Sequence, residues 1–128
     1  MLESKTLTVQ EEGELCYITI PAFEKTGLVR HCFTTRLGGV SPEPYGMNLG
    51  ISGADAPENV RRNYERIAYA IGSFPGNLVV SAQVHGTEIL RVGVLDRGKG
   101  VVFPREMEAI DGLFTDRSQV GLVTIHAD

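Results

Sequence analysis

Long apolar runs are missing from this 128-residue chain. No stretch approaches the ~20 consecutive apolar residues that a membrane-spanning helix needs. The N-terminus carries Glu3 and Lys5 where a signal peptide would have its apolar core. With 42% hydrophobic and 22% charged residues, the composition is that of an ordinary globular protein. These features predict a cytoplasmic protein that does not bind membranes.

Basic residues are also in short supply. Lys and Arg total 12 against 16 Asp and Glu, for a net charge of −4, whereas a nucleic-acid surface needs clustered Lys and Arg. The densest basic cluster, Arg61, Arg62 and Arg66, lies beside Glu58 and Glu65 on a predicted helix. This pattern indicates a solvent-exposed helix face with ion pairs at i,i+4 spacing. The composition therefore predicts no nucleic-acid partner.

Cysteine and histidine, which hold most zinc and copper ions in proteins, are few. The separation of Cys16 and Cys32 fits neither a zinc ribbon nor a redox motif, and both stand in strand-like runs, which favours buried free thiols. Three histidines cannot supply the several clusters of a multicopper oxidase. A catalytic zinc needs about three protein ligands, so a metal held by one histidine would need ligands from elsewhere.

Hydrophobic periodicity predicts an α+β fold. Strands are predicted at residues 15–20, 28–34, 78–84, 89–95, 110–115 and 120–125. The clearest helix begins near Pro57, a residue suited to the first helical turn, and ends at Gly72. A strand-rich order with one strong helix favours α+β over an alternating βαβ series. No domain boundary is expected inside the chain.

Residues 35–55 form a glycine-rich segment without sustained periodicity. A structureless stretch of this length inside a compact domain is commonly functional. We expect the segment to pack down on the domain through Tyr45, Leu49 and Ile51.

Four short motifs follow one another along the chain. They are Thr35–Ser41 (TRLGGVS), Asn48–Gly50 (NLG), Gln83–Gly86 (QVHG) and Asp111–Thr115 (DGLFT), before a final His126–Asp128 (HAD). In order and spacing they resemble the YfiH family, also called the laccase-domain or polyphenol-oxidase-like family, over nearly everything from Phe33 to Asp128. The resemblance implies a YfiH-like layered α/β sandwich with mixed sheets, and it implies a zinc-dependent purine nucleoside phosphorylase.

The resemblance also implies roles for single residues. His85 corresponds to a metal ligand and active-site residue of the family. The second family ligand is a cysteine directly after an Ala–Asp pair, here Ala127 and Asp128, and the third is a histidine further on. We therefore expect residues 1–128 to be the N-terminal portion of a single YfiH-like domain, ending before the metal-binding cysteine. His85 and Asp128 are the candidate catalytic residues, zinc is the expected cofactor with copper as the alternative, and His126 supports the site at best.

Arg36 stands among glycines, which suits an anion such as phosphate. Guanidinium binds phosphate bidentately, and glycine lets backbone N–H groups approach closely. Together with Asn48 and Gln83 it is a candidate substrate- or phosphate-binding residue, and Arg36 and Asn48 are expected to share a cleft with His85. The implied substrates are phosphate and adenosine, inosine, guanosine or S-methyl-5′-thioadenosine, with adenosine deaminase side activity.

Each of these residues also has a plainer explanation. A lone histidine such as His85 is often structural or simply exposed, and Arg36 could pair with Glu43. Asn48 and Asp111 are common turn residues. Two other functions stay open: a copper-dependent polyphenol oxidase and a non-catalytic fragment. The 128 residues alone are expected neither to bind zinc stoichiometrically nor to turn over nucleosides.

Overall fold

The computed structural model describes residues 4–50 and 53–126. The chain forms two compact units, Met1–Gly72 and Ser73–Asp128, a division that the sequence did not predict. The first unit contains β1 (Thr8–Glu12), β2 (Leu15–Thr19), α1 (Pro21–Glu24), β3 (Phe33–Thr34) and α2 (Pro57–Ala70). The second contains β4 (Leu78–Val80), β5 (Ile89–Arg91), β6 (Gly112–Phe114) and β7 (Gly121–Val123), with short 3₁₀ helices at Pro75–Asn77 and Val94–Asp96.

The strands of the first unit form an antiparallel sheet in the order β1–β2–β3. β2 agrees with the predicted strand 15–20, and its alternate residues are buried. The predicted strand 28–34 is wrong except at Phe33–Thr34, because the backbone N–H of Ile20 donates to Nε2 of His31 at 2.7 Å and Leu28 is 85% exposed. β1 was missed because its sequence, TVQEE, has a single apolar residue.

The predicted helix is confirmed as α2, with Pro57 in its first turn. Gly72 follows it with a φ of +71°, the left-handed conformation with which many helices end. One face packs into the core of the first unit, which is built from Leu15, Tyr17, Met47 and Ile67. On the outer face both side-chain oxygens of Glu58 accept from Arg61 at 3.0 Å, an i,i+3 pair where i,i+4 pairs were predicted. Arg66 instead donates to the carbonyl of Gly38 at 2.7 Å.

The second unit pairs its strands in parallel: β4 with β7 and β5 with β6. All four predicted strands of this unit are present in shortened form, and the core lies between them at Val79, Val92 and Met107. Among the described residues no helix combines the length and the apolar character needed to cross a bilayer.

Both cysteines are free thiols, and each is half-buried. Burial raises the pKa of the Cys32 thiol to about 11, so this sulfur is protonated and weakly nucleophilic at neutral pH. The prediction of buried free thiols is thus right that the thiols are free and wrong on burial, since both are only half-buried.

Candidate active site

His85 lies in the connection between β4 and β5, residues 81–88. Its side chain is exposed, and its backbone φ is +61°. Non-glycine residues adopt this left-handed conformation infrequently, and they persist there only where the surrounding structure holds them. The connection must therefore be fixed by its neighbours.

Asp111, the residue before β6, holds this connection. Its Oδ1 accepts from the backbone N–H groups of Val84 at 3.0 Å and His85 at 2.7 Å, and its Oδ2 accepts from that of Gly86 at 2.9 Å. A Cβ atom on residue 86 would stand 3.2 Å from the same Oδ2, which explains a glycine there. The QVHG and DGLFT motifs thus meet in space through one carboxylate.

The three backbone donors also set the charge of Asp111. Desolvation acts to raise its pKa, but the N–H groups of Gly86, His85 and Val84 and the nearby His85 ring together hold that pKa below the ordinary range. A carboxylate that accepts several backbone N–H bonds is stabilised in its ionised form. Asp111 is therefore an anion at neutral pH, and it is hydrogen-bonded to the backbone of His85.

Gln83 forms a second attachment of the connection. Its Oε1 accepts from the backbone N–H of Ile125 at 2.7 Å, and its Nε2 donates to the carbonyl of Ile125 at 3.2 Å. The segment after β7 is thereby held beside the connection. Next to it, His126 shares a 2.9 Å hydrogen bond with the Thr124 hydroxyl. Asp128 lies outside the described residues, so its role as a catalytic residue beside His85 stays a prediction.

The glycine-rich segment of the first unit is organised by Asn63 of α2, a residue that sequence reasoning missed. Its side chain is fully buried; Oδ1 accepts from the N–H of Val40 at 2.8 Å, and Nδ2 donates to the carbonyl of Asn48 at 2.8 Å. The signal was available: Asn63 lies on the same helix face as Val60 and Ile67. A polar residue at a core position of a helix needs partners.

A second polar group of this segment is Asp55. It accepts from the Ser41 hydroxyl, from Asn59 at 2.9 Å and from Asn48 Nδ2 at 3.1 Å. The Ser41 bond first, and the Asn59 bond next, lower its pKa. Asn48 Oδ1 in turn accepts from the N–H of Gly50 at 3.0 Å. Both polar ends of Asn48 thus serve the loop, as the turn-residue explanation expects.

The glycines near Arg36 are explained by backbone packing. A Cβ on Gly39 would lie 2.1 Å from the carbonyl oxygen of Gly46, and one on Gly38 would lie 2.4 Å from the Cα of Leu15. Such contacts are impossible for a real side chain, so the loop closes on itself and on β2 only with glycine at these positions.

The Arg36 side chain is exposed and forms no hydrogen bond or ion pair with any residue that the structure describes. The suggested pair with Glu43 is therefore absent there. The packing prediction holds for Leu49, which lies against the core, and is wrong for Tyr45, which is 55% exposed. Ile51 lies outside the described residues. Arg36 and His85 belong to different units, so their common cleft stays a prediction.

Across residues 4–50 and 53–126, no group of three or more His, Cys, Asp or Glu side chains is arranged to hold a metal ion. Nε2 of His31 accepts a hydrogen bond from the N–H of Ile20. The His31 ring packs edge-on against Phe23, with ring centroids 5.2 Å apart. His85 is thus a single candidate ligand, and the described residues do not form a metal site by themselves.

Comparison with known proteins places these features in a family. Residues 30–128 match the family described as "Multi-copper polyphenol oxidoreductase laccase". The chain is 39% identical over 104 residues to "Purine nucleoside phosphorylase ORF3" of Streptomyces griseus. Among solved structures, it resembles Bacillus licheniformis hypothetical protein YfiH with a TM-score of 0.78 at 27% identity. YlmD from Geobacillus stearothermophilus is similar, with a TM-score of 0.77 at 31% identity.

These likenesses cover most of this chain and less than half of its relatives. The Streptomyces match covers 80% of the chain and 40% of the relative, and each structural match covers 89% of the chain and 42% of the other protein. The predicted YfiH-like α+β fold is confirmed over that part.

Proposed function

Because the chain belongs to the multi-copper polyphenol oxidoreductase laccase family, and because its relatives are named purine nucleoside phosphorylases, we propose that it carries the His85 side of a purine nucleoside phosphorylase site. The proposed substrates are phosphate and a purine nucleoside: adenosine, inosine, guanosine or S-methyl-5′-thioadenosine. Adenosine deamination is proposed as a side activity, and zinc as the cofactor.

The observation that carries this proposal is the attachment of the His85 connection to Asp111. An exposed histidine is kept at a φ of +61° by three backbone bonds to one carboxylate. A left-handed non-glycine residue costs roughly 1–3 kcal/mol, and such strain clusters at functional sites. Packing does not explain it, because the His85 side chain is exposed. A fixed, accessible imidazole suits an active site.

Phosphorolysis of a nucleoside joins a phosphate oxygen to C1′ of the sugar while the bond from C1′ to the purine breaks. The reaction needs phosphate placed against C1′, and it needs stabilisation of the charge that develops on the departing base. Arg36 has a guanidinium free of described partners, which is suited to bidentate phosphate binding. His85 has an accessible ring that can exchange a proton or coordinate a metal.

Zinc enters the proposal through one ligand, His85. When bound, zinc supplies a Lewis acid that can polarise a substrate oxygen or activate water. The described residues do not complete its coordination. The roles proposed for Arg36 and Asp111 are those of their own side chains: phosphate binding for Arg36 and support of the His85 backbone for Asp111.

The direct test is a chimaera in which this chain replaces the matching part of the Streptomyces griseus protein. We expect it to release adenine or hypoxanthine from the nucleoside only when phosphate is present, and His85→Ala to lower kcat at least about 100-fold. The matched control is His31→Gln, which keeps an acceptor for the Ile20 N–H and should retain the rate.

A second chimaera exchanges only residues 78–126. It guards against the possibility that the junctions of the first chimaera disturb its fold and abolish activity for that reason. Folded chimaeras without base release, or equal rates with His85→Ala, would overturn the proposal. Oxidation of a phenol by the copper-loaded protein, without nucleoside cleavage, would establish the oxidase instead.

A further inference from the structure

Gln83 stands where a backbone ladder stops. The parallel pairing of β4 with β7 reaches Val80 opposite Val123. Beyond it, the main chain of Ala82 turns to other partners: its N–H donates to the Met107 carbonyl at 2.8 Å and its carbonyl accepts from the Ile110 N–H at 3.1 Å. Because both backbone groups of Ala82 already have partners, they cannot extend the pairing of β4 with the segment after β7.

The Gln83 side chain takes over the pairing. A carboxamide carries one N–H donor and one carbonyl acceptor side by side, as a peptide group does. Its two bonds to the N–H and carbonyl of Ile125, at 2.7 and 3.2 Å, replace one rung of the ladder. Gln83 thus attaches the end of the β7 segment to a point two residues before His85.

We propose that Gln83 is a positioning residue, which fixes the residues that follow β7 relative to His85. Asp111 holds the backbone of His85 itself, and Gln83 holds the neighbouring segment at Ile125. The two attachments are made by different side chains. In this role Gln83 acts through the main chain of Ile125 and does not contact substrate. The inference rests on the proposed function only in naming His85 as the active-site side chain.

The attachment is tested in this chain by amide hydrogen exchange at Ile125. In Gln83→Met, which keeps the length of the side chain without its polar atoms, we expect exchange at least about tenfold faster at every pH. In Gln83→Glu, a carboxyl oxygen can still accept from the Ile125 N–H, so exchange at Ile125 should accelerate less than in Gln83→Met.

Gln119→Glu is the matched control, since Gln119 lies in the same unit and its side chain has no hydrogen bond to a described residue. It should leave Ile125 exchange unchanged. Unchanged Ile125 protection in Gln83→Met would overturn the attachment, whatever the activity of the protein.

The positioning role is tested in the chimaera by steady-state kinetics. Residues that orient an active-site group from outside typically cost 10–100-fold when replaced, so Gln83→Met should lower kcat about tenfold at nearly constant KM for the nucleoside and for phosphate. A raised KM with unchanged kcat would show a substrate contact and overturn the role. An inactive, folded parent chimaera would refute the proposed function, while the exchange data would still decide the attachment.

Discussion

Two irregular segments, the glycine-rich loop of the first unit and the His85 connection of the second, are held in the same manner and differ in character. Each has backbone groups bonded to one polar side chain outside the segment. Asn63 binds the N–H of Val40 and the carbonyl of Asn48 in the loop, and Asp111 accepts from three N–H groups of the connection. Asn63 is neutral and fully buried. Asp111 is half-buried and ionised, and the segment that it holds is exposed.

The difference distinguishes a segment that stabilises the fold, the glycine-rich loop, from one that exposes a candidate functional side chain, the His85 connection. The hydrogen bonds of a buried amide side chain do not depend on pH. When they are lost, their former partners stay buried and cannot bond to water instead. A partly exposed carboxylate contributes less to stability, but it keeps a strained residue in place at the surface. In the glycine-rich loop, Arg36 is an exposed cationic side chain without described partners; in the connection, His85 faces solvent.

The largest effect is expected from Asn63→Ala. The substitution removes a fully buried side chain and leaves the half-buried N–H of Val40 and carbonyl of Asn48 without their partners, so the free energy of unfolding should fall by about 2–4 kcal/mol. Urea denaturation of the purified chain measures it. Asn59→Ala, which removes one bond to Asp55 at a less buried position, is the control and should cost less than about 1 kcal/mol. Equal losses would mean that Asn63 does not organise the loop.

Asp111→Asn is expected to act locally. One end of an asparagine side chain is a donor, so it cannot accept from the N–H groups of Val84, His85 and Gly86 together. Amide exchange at these three residues should accelerate, while exchange in β4 stays unchanged. Asp116→Asn, which breaks an exposed pair with Arg91, serves as the control. Uniform acceleration throughout the second unit would show that Asp111 supports the whole fold and not this connection.

The same contrast should appear on acidification. The folded pKa of Asp111 is lowered, so ionisation favours the folded connection: the contribution is complete above the unfolded pKa of about 3.9 and is lost as pH falls through the folded value. Protection of the His85 amide should decline in that acid range, while the Val40 amide, bonded to neutral Asn63, should keep its protection. Asp111→Ala should abolish the pH dependence at His85; a dependence that survives would have another source.

Local patterns in the sequence predicted the elements of the fold that depend on local interactions. α2 was predicted because its apolar period, Pro57 and Gly72 agree, and β4 because Leu78–Val80 is a run of apolar residues typical of a buried strand. β1 was not, since a polar strand such as TVQEE is specified by its partner β2. Parallel pairing of β4 with β7 joins residues about forty positions apart, and no local pattern reports such a contact.

The site was predicted in part for the same reason. The motifs marked His85, and residue chemistry suggested a turn role for Asp111, but neither showed that one carboxylate joins the two motifs. Gln83 was predicted to bind substrate, and that prediction remains untested; its bonds to Ile125 depend on β7, which follows much later in the chain. The glycines near Arg36 were interpreted as room for an anion, whereas they are required by backbone packing against Gly46 and Leu15.

The smallest effect on stability is expected from Arg36→Ala, which also decides whether the glycine-rich loop has a function beyond scaffolding. An exposed arginine without described partners contributes little to folding, so the free energy of unfolding should change by less than about 0.5 kcal/mol. In the chimaera, the KM for phosphate should rise about tenfold or more, because a charge-assisted pair of hydrogen bonds to the anion is lost. Arg62→Ala, on the exposed face of α2, is the matched control. If both variants leave the KM for phosphate unchanged, Arg36 is not a phosphate ligand, and the functional surface belongs to the His85 connection.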